Sequence, residues 1–464
     1  MPRVSLLRRG LLYTLLKMKR PLLPLLLFLL GVSIASALDK QPTADYHARR
    51  AALASHLDGG VAILFAAQEP ALDFMPYRQD EDFYYLTGWN EPGAALLIES
   101  EVVATSDHPA SKYREILFLP TRNLRLELYT GVKLDANAPG VTTSTGIDEV
   151  LPMTDLPLVL NTLAQSTRHV GPVWSQHDEA ATKAMLTWTA ATLGSDNVAD
   201  SHDVRDLTTA LRIIKDAREI ALLTKATDAS IVAQRAMMRA VRPGASERTV
   251  AGIIIENLMA QGCERPSYAP IVGSGFQSTV LHYSDNSQTM QAGDVVVVDA
   301  AGEYSMYASD ITRTLPVSGH FNARQREIYD VVLGAQRAAM AAFVAGKSKI
   351  NDREHRDPDS LDTVAWNYIN THGKGLHGES LGKYWIHGLG HSVGINVHDP
   401  MVYAKPIPPG AVFTIEPGIY IPEEKIGVRI EDIYRVDENG GLIDLTAKLA
   451  HTAEEVEAAM QAKD

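Results

Sequence analysis

Asp299, Asp310, His391, Glu416 and Glu431 stand far apart in the chain, yet together they have the chemistry of a metal site. Each occupies a place where a side chain can be aimed. Asp299 ends the apolar run Val295-Val296-Val297-Val298, and Asp310 opens the alternating segment Asp-Ile-Thr-Arg-Thr. His391 lies in a glycine-punctuated stretch, Glu416 follows Ala-Val-Phe-Thr-Ile, and Glu431 follows Gly-Val-Arg-Ile. Four carboxylates balance two dications in formal charge, and such a cation pair can activate water for hydrolysis. A mostly oxygen ligand set with one imidazole favours Mn²⁺, with Zn²⁺ or Co²⁺ as substitutes.

Taken singly, these residues have plainer readings. An aspartate at a strand end commonly serves a turn. The stretch His387-Gly-Leu-Gly-His391-Ser-Val-Gly-Ile-Asn-Val-His398-Asp is poor helix and poor core material, which leaves a histidine-rich surface loop as its alternative. Its i,i+4 histidine pair lacks the glutamate of the helical zinc-protease motif. Its glycines would let backbone approach a ligand closely. Glu416, before Pro417-Gly418, would be a costly buried charge unless paired or metal-bound. Arg429 and Glu431, two apart on one expected strand, share a face and could form a simple ion pair.

The elements that must position these residues read as a mixed α/β (α+β) chain. In the first part, residues 61–65, 94–98 and 115–119 predict buried strands, and 45–57 and 178–193 predict helices. A charged connector over 204–218 places the domain boundary near 211–216. The second part opens with a long helix over 217–241, stopped by Arg242-Pro243-Gly244. A second helix, with Ser246 at its cap, runs to about Gln261. Strands follow at 295–300, 309–315, 412–415 and 428–436, with helices at 323–345 and 359–371 between the two strand sets. Two helices then strands, twice over, hints at an internal duplication, with two carboxylates from each half.

Composition bounds the rest. With 464 residues, 45% of them hydrophobic and 21% charged, the chain can build two sizeable cores. Residues 1–37 combine a basic lead (Arg3, Arg8, Arg9, Lys17, Lys19, Arg20), an apolar run and Ala35-Ser36-Ala37. That is the pattern of a cleavable secretory signal peptide, with Met18 as an alternative start. The apolar run is shorter than the ~20 residues of a spanning helix, so contact with membrane is expected only during export. Without that segment, 37 basic residues face 56 acidic ones, a net charge of −19. So acidic a surface repels phosphate backbones, which excludes nucleic acid as a partner. The one cysteine, Cys263, reads as a bystander thiol.

Several segments together carry a family resemblance. They are Pro266-Ser-Tyr-Ala-Pro-Ile-Val-Gly-Ser-Gly, His282-Tyr283, Gly293-Asp-Val-Val-Val-Val-Asp-Ala, Ser309-Asp-Ile-Thr-Arg-Thr, Gln325-Arg-Glu-Ile-Tyr-Asp and the three later motifs. They resemble the Xaa-Pro aminopeptidase (aminopeptidase P) and prolidase family. Pro76-Tyr-Arg-Gln-Asp-Glu-Asp-Phe-Tyr-Tyr-Leu-Thr-Gly-Trp-Asn-Glu-Pro extends the likeness into the N-terminal domain. The resemblance implies a creatinase-like α/β domain over 38–210 and a pita-bread metallopeptidase domain over 211–464. It implies two divalent metal ions: Asp299 chelating one, Asp310 and Glu431 bridging, His391 and Glu416 completing the second. A bridging water or hydroxide would be the nucleophile and Glu416 its proton acceptor. His282, His387 and His398 match histidines that contact substrate or steady the tetrahedral intermediate. Arg429 matches an arginine hydrogen-bonded near the site, and Tyr268 a tyrosine of the substrate pocket.

The implied substrates are peptides with proline at the second position, and the implied assembly is a homo-oligomer, a dimer or tetramer. Two departures stand out. Tyr129 occupies a place where bacterial aminopeptidase P often has a tryptophan, and 346–383 is rich in charge, glycine and histidine (His355, His372, His377) without the usual Pro-Gly turn. Prolidase, restricted to Xaa-Pro dipeptides, shares the motifs and is the nearest rival. Methionine aminopeptidase lacks this N-terminal domain, and creatinase-like members lack the full ligand set. A metal-free scaffold on the same fold would have little reason to keep all five ligands.

Overall fold

The computed structural model describes residues 39–69, 77–101, 113–165, 172–193, 201–351 and 357–462. The expected signal segment 1–37 with Met18, and also Pro76 and His355, lie outside the described residues. Among the described residues, no helix is long and apolar enough to cross a membrane.

The N-terminal domain is built on one mixed sheet of β1 (Val61–Phe65), β2 (Ala95–Glu99), β3 (Arg114–Leu119), β4 (Glu149–Pro152), β5 (Val173–Ser175) and β6 (His202–Asp203). Its strand order is β4-β3-β2-β1-β5-β6. β1 is apolar at every position and β2 at all but its last, Glu99, because both faces are covered. Ala62, Leu64, Leu96 and Ile98 pack with Leu53, Phe83 and Leu86 on one side. Ile63, Phe65, Leu97, Ile116 and Phe118 pack with Leu156, Leu160 and Met185 on the other. The expected strands at 61–65, 94–98 and 115–119 therefore form, within one residue of their expected ends.

Helix Arg205–Arg212 is the connector. Asp216 then caps helix Ala217–Ala240 through a reciprocal capping box with Glu219, which satisfies backbone donors that have no intrahelical partner. Gly244, at φ +82°, makes the turn into helix Glu247–Ala260. Ser246 holds the N-cap position there without a side-chain cap bond.

The strands that follow are β7 (Arg265–Pro266), β8 (Ile271–Ser274), β9 (Val295–Asp299), β10 (Gly302–Tyr304), β11 (Tyr307–Ala308) and β12 (Thr312–Pro316). β8, β9 and β12 form an antiparallel sheet in the order β12-β9-β8. After helices Ala323–Ala342 and Leu361–Thr371 come β13 (Val412–Ile415), β14 (Gly418–Ile421), β15 (Ile426–Arg429), β16 (Asp432–Val436) and β17 (Leu442–Asp444). The repeated order of helix pair then strands matches the expected two-half plan.

Two expectations are corrected. The segment 309–315 becomes a strand only at Thr312, so Asp310 sits in the approach to β12. The single strand expected over 428–436 is two: β15 pairs with β14, and β16 with β13 and β17. The break at Ile430 and Glu431 has a physical cause. Glu431 leaves its own sheet and bridges to the other half, its backbone N–H donating to the Thr312 carbonyl at 3.1 Å. Fully buried Arg313 fills the junction, donating to the carbonyls of Thr312 (2.9 Å) and Glu431 (2.8 Å) and to the Asp432 carboxylate (2.7 Å).

Candidate metal centre

The five sequence-distant residues converge. One ligand atom each from Asp310, His391 and Glu431 lies within 4.8 Å of the others, and all three residues are buried. His391 Nε2 is 3.4 Å from both the Asp310 and Glu416 carboxylates. Asp299 joins through Tyr268, whose hydroxyl lies 2.5 Å from Asp299 Oδ1 and also contacts Asp310 Oδ1. One hydroxyl has a single proton, so it satisfies only one of these carboxylates at a time. Arg429 donates to Asp299 Oδ2 at 2.7 Å. The simple Arg429–Glu431 ion pair is therefore not the arrangement adopted: Asp299 takes the guanidinium, and Glu431 accepts from the Thr312 hydroxyl at 2.6 Å.

The electrostatics show what the protein alone does not supply. Burial and the charges of Asp310, Glu416 and Asp299 push Glu431 well above the usual carboxylate range. Glu416 is pushed up to about 7, by burial first and then by Asp310 and Asp299 against the opposing pull of His391 and Arg429. Burial also raises Asp299, with Arg429 opposing. Burial pulls the His391 imidazole down, but Asp310 and Glu416 outweigh it and raise it to about 9. Four carboxylates therefore share one guanidinium and one imidazole. This donor set fits divalent cations in charge and in hard-oxygen chemistry, and the chain is a divalent-metal protein on that test.

The cleft beside these groups, about 320 Å³, is lined by Asp299, Glu416 and Arg429 and by His282, His387, His391 and His398. The imidazoles of His391 and His398 meet edge to face with centroids 4.2 Å apart. His387 Nε2 lies 2.8 Å from the Tyr420 hydroxyl, which accepts from Arg429 at 3.0 Å. His282 and His398 are exposed to solvent, whereas Tyr268 is turned toward the carboxylates. Away from the cleft, Cys263 is buried and pushed up to about 12 by burial, which suits a bystander. His372 and His377 are exposed loop residues.

With that geometry in view, comparison with known proteins gives a consistent result. Residues 221–438 match the model of metallopeptidase family M24, and 46–171 match the aminopeptidase P N-terminal domain. The Xaa-Pro aminopeptidase of Escherichia coli is 34% identical over 442 residues, covering 90% of this chain and 98% of that protein. The chain belongs to the Xaa-Pro aminopeptidase and prolidase family. A solved Glu-to-Ala variant of Escherichia coli aminopeptidase P in complex with substrate superposes with a TM-score of 0.78 at 30% identity, covering 91% of this chain and 99% of that one. The Xaa-Pro dipeptidase of Pyrococcus furiosus is 37% identical over 248 residues, 53% of this chain and 66% of that protein. The fold is thus the pita-bread metallopeptidase domain preceded by an aminopeptidase P N-terminal domain.

Within this M24 site, several supporting residues escaped the sequence reading. The Thr414 hydroxyl accepts the His391 N–H at 3.1 Å and lies 3.3 Å from Glu416 Oε1, while Thr312 donates to Glu431. Each threonine lies two positions from a carboxylate of the cluster, Asp310 or Glu416, the spacing at which residues of an expected strand share a face. Asn351 left no such signal. Its side chain accepts from the Leu389 N–H and donates to the Gly390 carbonyl, both at 2.7 Å, bracketing the histidine loop.

The loop glycines also allow close approach within the protein itself. A Cβ on Gly390 would stand 2.1 Å from the Thr414 carbonyl, and one on Gly394 would stand 2.5 Å from the Asp399 carboxylate. Gly390→Ala is therefore expected to lose about 1–3 kcal/mol of stability in urea denaturation and to bind divalent metal more weakly. Gly252→Ala, on a helix with open space around it, should be neutral or stabilising in the same measurement.

Proposed function

We propose that this chain is a metal-dependent Xaa-Pro aminopeptidase, hydrolysing the bond between an N-terminal residue and a penultimate proline. The observation that carries the reading is convergence: Asp310 and Glu431 cluster with His391, which lines one cleft with Asp299, Glu416 and three further imidazoles, in a chain that aligns with 98% of the Escherichia coli Xaa-Pro aminopeptidase. Prolidase is the second reading. The aminopeptidase P match of the N-terminal domain favours the first.

Asp299, Asp310, His391, Glu416 and Glu431 would hold two divalent cations, which supply Lewis-acid polarisation of the scissile carbonyl and acidification of the attacking water. Mn²⁺ is the proposed native metal, with Zn²⁺ or Co²⁺ as substitutes. The bond before proline is a tertiary amide without N–H, so recognition relies on its carbonyl. Glu416 accepts the proton of the attacking water. His282, His387 and His398 would contact the substrate or steady the tetrahedral intermediate. A carboxyl or imidazole of the cleft wall protonates the departing proline nitrogen. Arg429 and Tyr268 hold Asp299 in place.

Two further parts of the reading rest on other features. Export through a cleavable segment 1–37 is supported by its basic, apolar and Ala-Ser-Ala composition. A homo-oligomer, dimer or tetramer, is supported by exposed apolar side chains close together in one segment. Leu128, Tyr129 and Val132 are 84%, 80% and 78% exposed, an unusual surface for a monomer.

Stripping the metal should abolish hydrolysis, and Mn²⁺ should restore it on Xaa-Pro-Yaa peptides. Activity confined to Xaa-Pro dipeptides would instead establish a prolidase. With either substrate, Glu416→Ala and His391→Ala should each nearly abolish turnover, and full activity in either would refute the site. Tyr129→Asp combined with Leu128→Asp should lower the mass seen in sedimentation to that of a monomer; an unchanged oligomer would remove this surface from the assembly. N-terminal sequencing of the exported protein should begin at Leu38, and a retained apolar segment would overturn cleavage.

A further inference from the structure

Four charged side chains that take no part in the metal ligand set are buried together between the N-terminal domain, the connector and the histidine loop. Arg212, on the connector helix, donates to Asp82 of the N-terminal domain at 2.9 Å and to Asp399 of the loop at 2.6 Å. Lys215 donates to the other Asp399 oxygen at 3.2 Å and to the Ser392 hydroxyl at 3.1 Å. All four ionic groups are nearly or fully buried, and two cations match two carboxylates. A neutral quartet of this kind is tolerable inside a protein, whereas removing one member leaves an unpaired buried charge.

The quartet leads to the site along bonded atoms. Asp399 follows His398 directly, and its backbone N–H donates to the Ser392 carbonyl at 2.9 Å, closing the loop. That same carbonyl lies 3.1 Å from His391 Nδ1. A carbonyl there holds a proton on Nδ1 and leaves Nε2 as the ligating nitrogen, facing Asp310 and Glu416. The Asp399 carboxylate also accepts the Asn396 N–H at 3.2 Å. Gly394, packed against that carboxylate, leaves no room for a side chain. Both ends of the segment between His391 and His398 are therefore fixed by Asp399, and Asp399 is fixed by the connector.

We propose that Arg212 and Lys215 are positioning residues for the metal site, holding Asp399 and Ser392 so that the loop presents His391 Nε2 to metal and His398 to substrate. The inference rests on the aminopeptidase reading only for its kinetic readout. Metal affinity tests it separately.

The experiment uses the full chain with Lys215→Met, Arg212→Met and the conservative Arg212→Lys. Mn²⁺ dissociation constants are measured by equilibrium dialysis, and kcat and KM on an Xaa-Pro-Yaa peptide. Lys215→Met and Arg212→Met should weaken Mn²⁺ binding and lower kcat by about 10–100-fold, with KM within about threefold of wild type. Arg212→Lys should recover part of both losses. Wild-type Mn²⁺ affinity and kcat in the folded methionine variants would overturn the proposal, even if their melting temperature falls, and would leave the cations a role in domain packing alone. If neither methionine variant folds, Arg212→Lys decides: it keeps the charge but loses the fork, so losses in both readouts support positioning and wild-type values overturn it. A wild-type protein inactive on the peptide would refute the aminopeptidase reading while the Mn²⁺ comparison still decided this one.

Discussion

Four carboxylates held within reach of one another in a buried site are the constraint to which the rest of this structure answers. Two such charges about 4 Å apart repel by about 4 kcal/mol at an effective dielectric of 20. Asp310 and Glu431 bring ligand atoms within 4.8 Å of each other, the charges of Glu416 and Asp299 add to the repulsion at Glu431, and Arg429 offsets Asp299 most directly. Burial and this mutual repulsion raise Glu431 and Glu416 above the usual carboxylate range, so the protein alone disfavours the fully charged cluster. Divalent metal resolves both problems, since it neutralises the cluster and takes its chemistry from the same oxygens. The metal requirement is thus a property of the fold's electrostatics before it is a property of the reaction.

Dispersal of the ligands along the chain follows from the same constraint. Each half of the catalytic domain delivers two of the carboxylates, so the full repulsion arises only when the halves meet. The meeting surface is correspondingly strong. Glu431 crosses to pair with Thr312, Arg429 exchanges bonds with Thr314, and Arg313 ties the Thr312 and Glu431 carbonyls to Asp432. Arg313 keeps the neighbouring Asp432 well below the usual carboxylate range despite burial. One cation thus serves the backbone behind the ligands while another, Arg429, serves a ligand itself.

Legibility from sequence divided along physical lines. Asp299 was readable because four valines before it announce a buried strand, and a charge at the end of such a strand needs a reason. The N-terminal sheet was readable for the same cause: strands covered on both faces are continuous apolar runs. The break at Ile430 and Glu431 was not, because Val-Arg-Ile-Glu-Asp-Ile alternates well enough for one strand and only the partner half pulls it in two. Thr312 and Thr414 were within reach of a simple period-two rule, whereas Asn351 is placed by tertiary contacts that its neighbours do not encode. Glycines 388, 390 and 394 marked close approach correctly but could not say to what; within the protein they approach the Asn351 side chain, the Thr414 carbonyl and the Asp399 carboxylate.

The N-terminal domain supplies none of the five clustered residues, yet its contacts fall on the segments that carry them. Arg78 donates to Glu303, in the span between Asp299 and Asp310, and also to the Ile395 carbonyl, in the span between His391 and His398, both at 2.7 Å. Glu81 accepts from Asn396 at 2.8 Å. A rigid body that grips both spans at once restricts how far the aspartate side of the site can move against the histidine side. Metal coordination demands that restriction, because ligand atoms tolerate only small errors in placement. Domain packing and ligand geometry are therefore one structural problem in this chain, solved by the same few arginines.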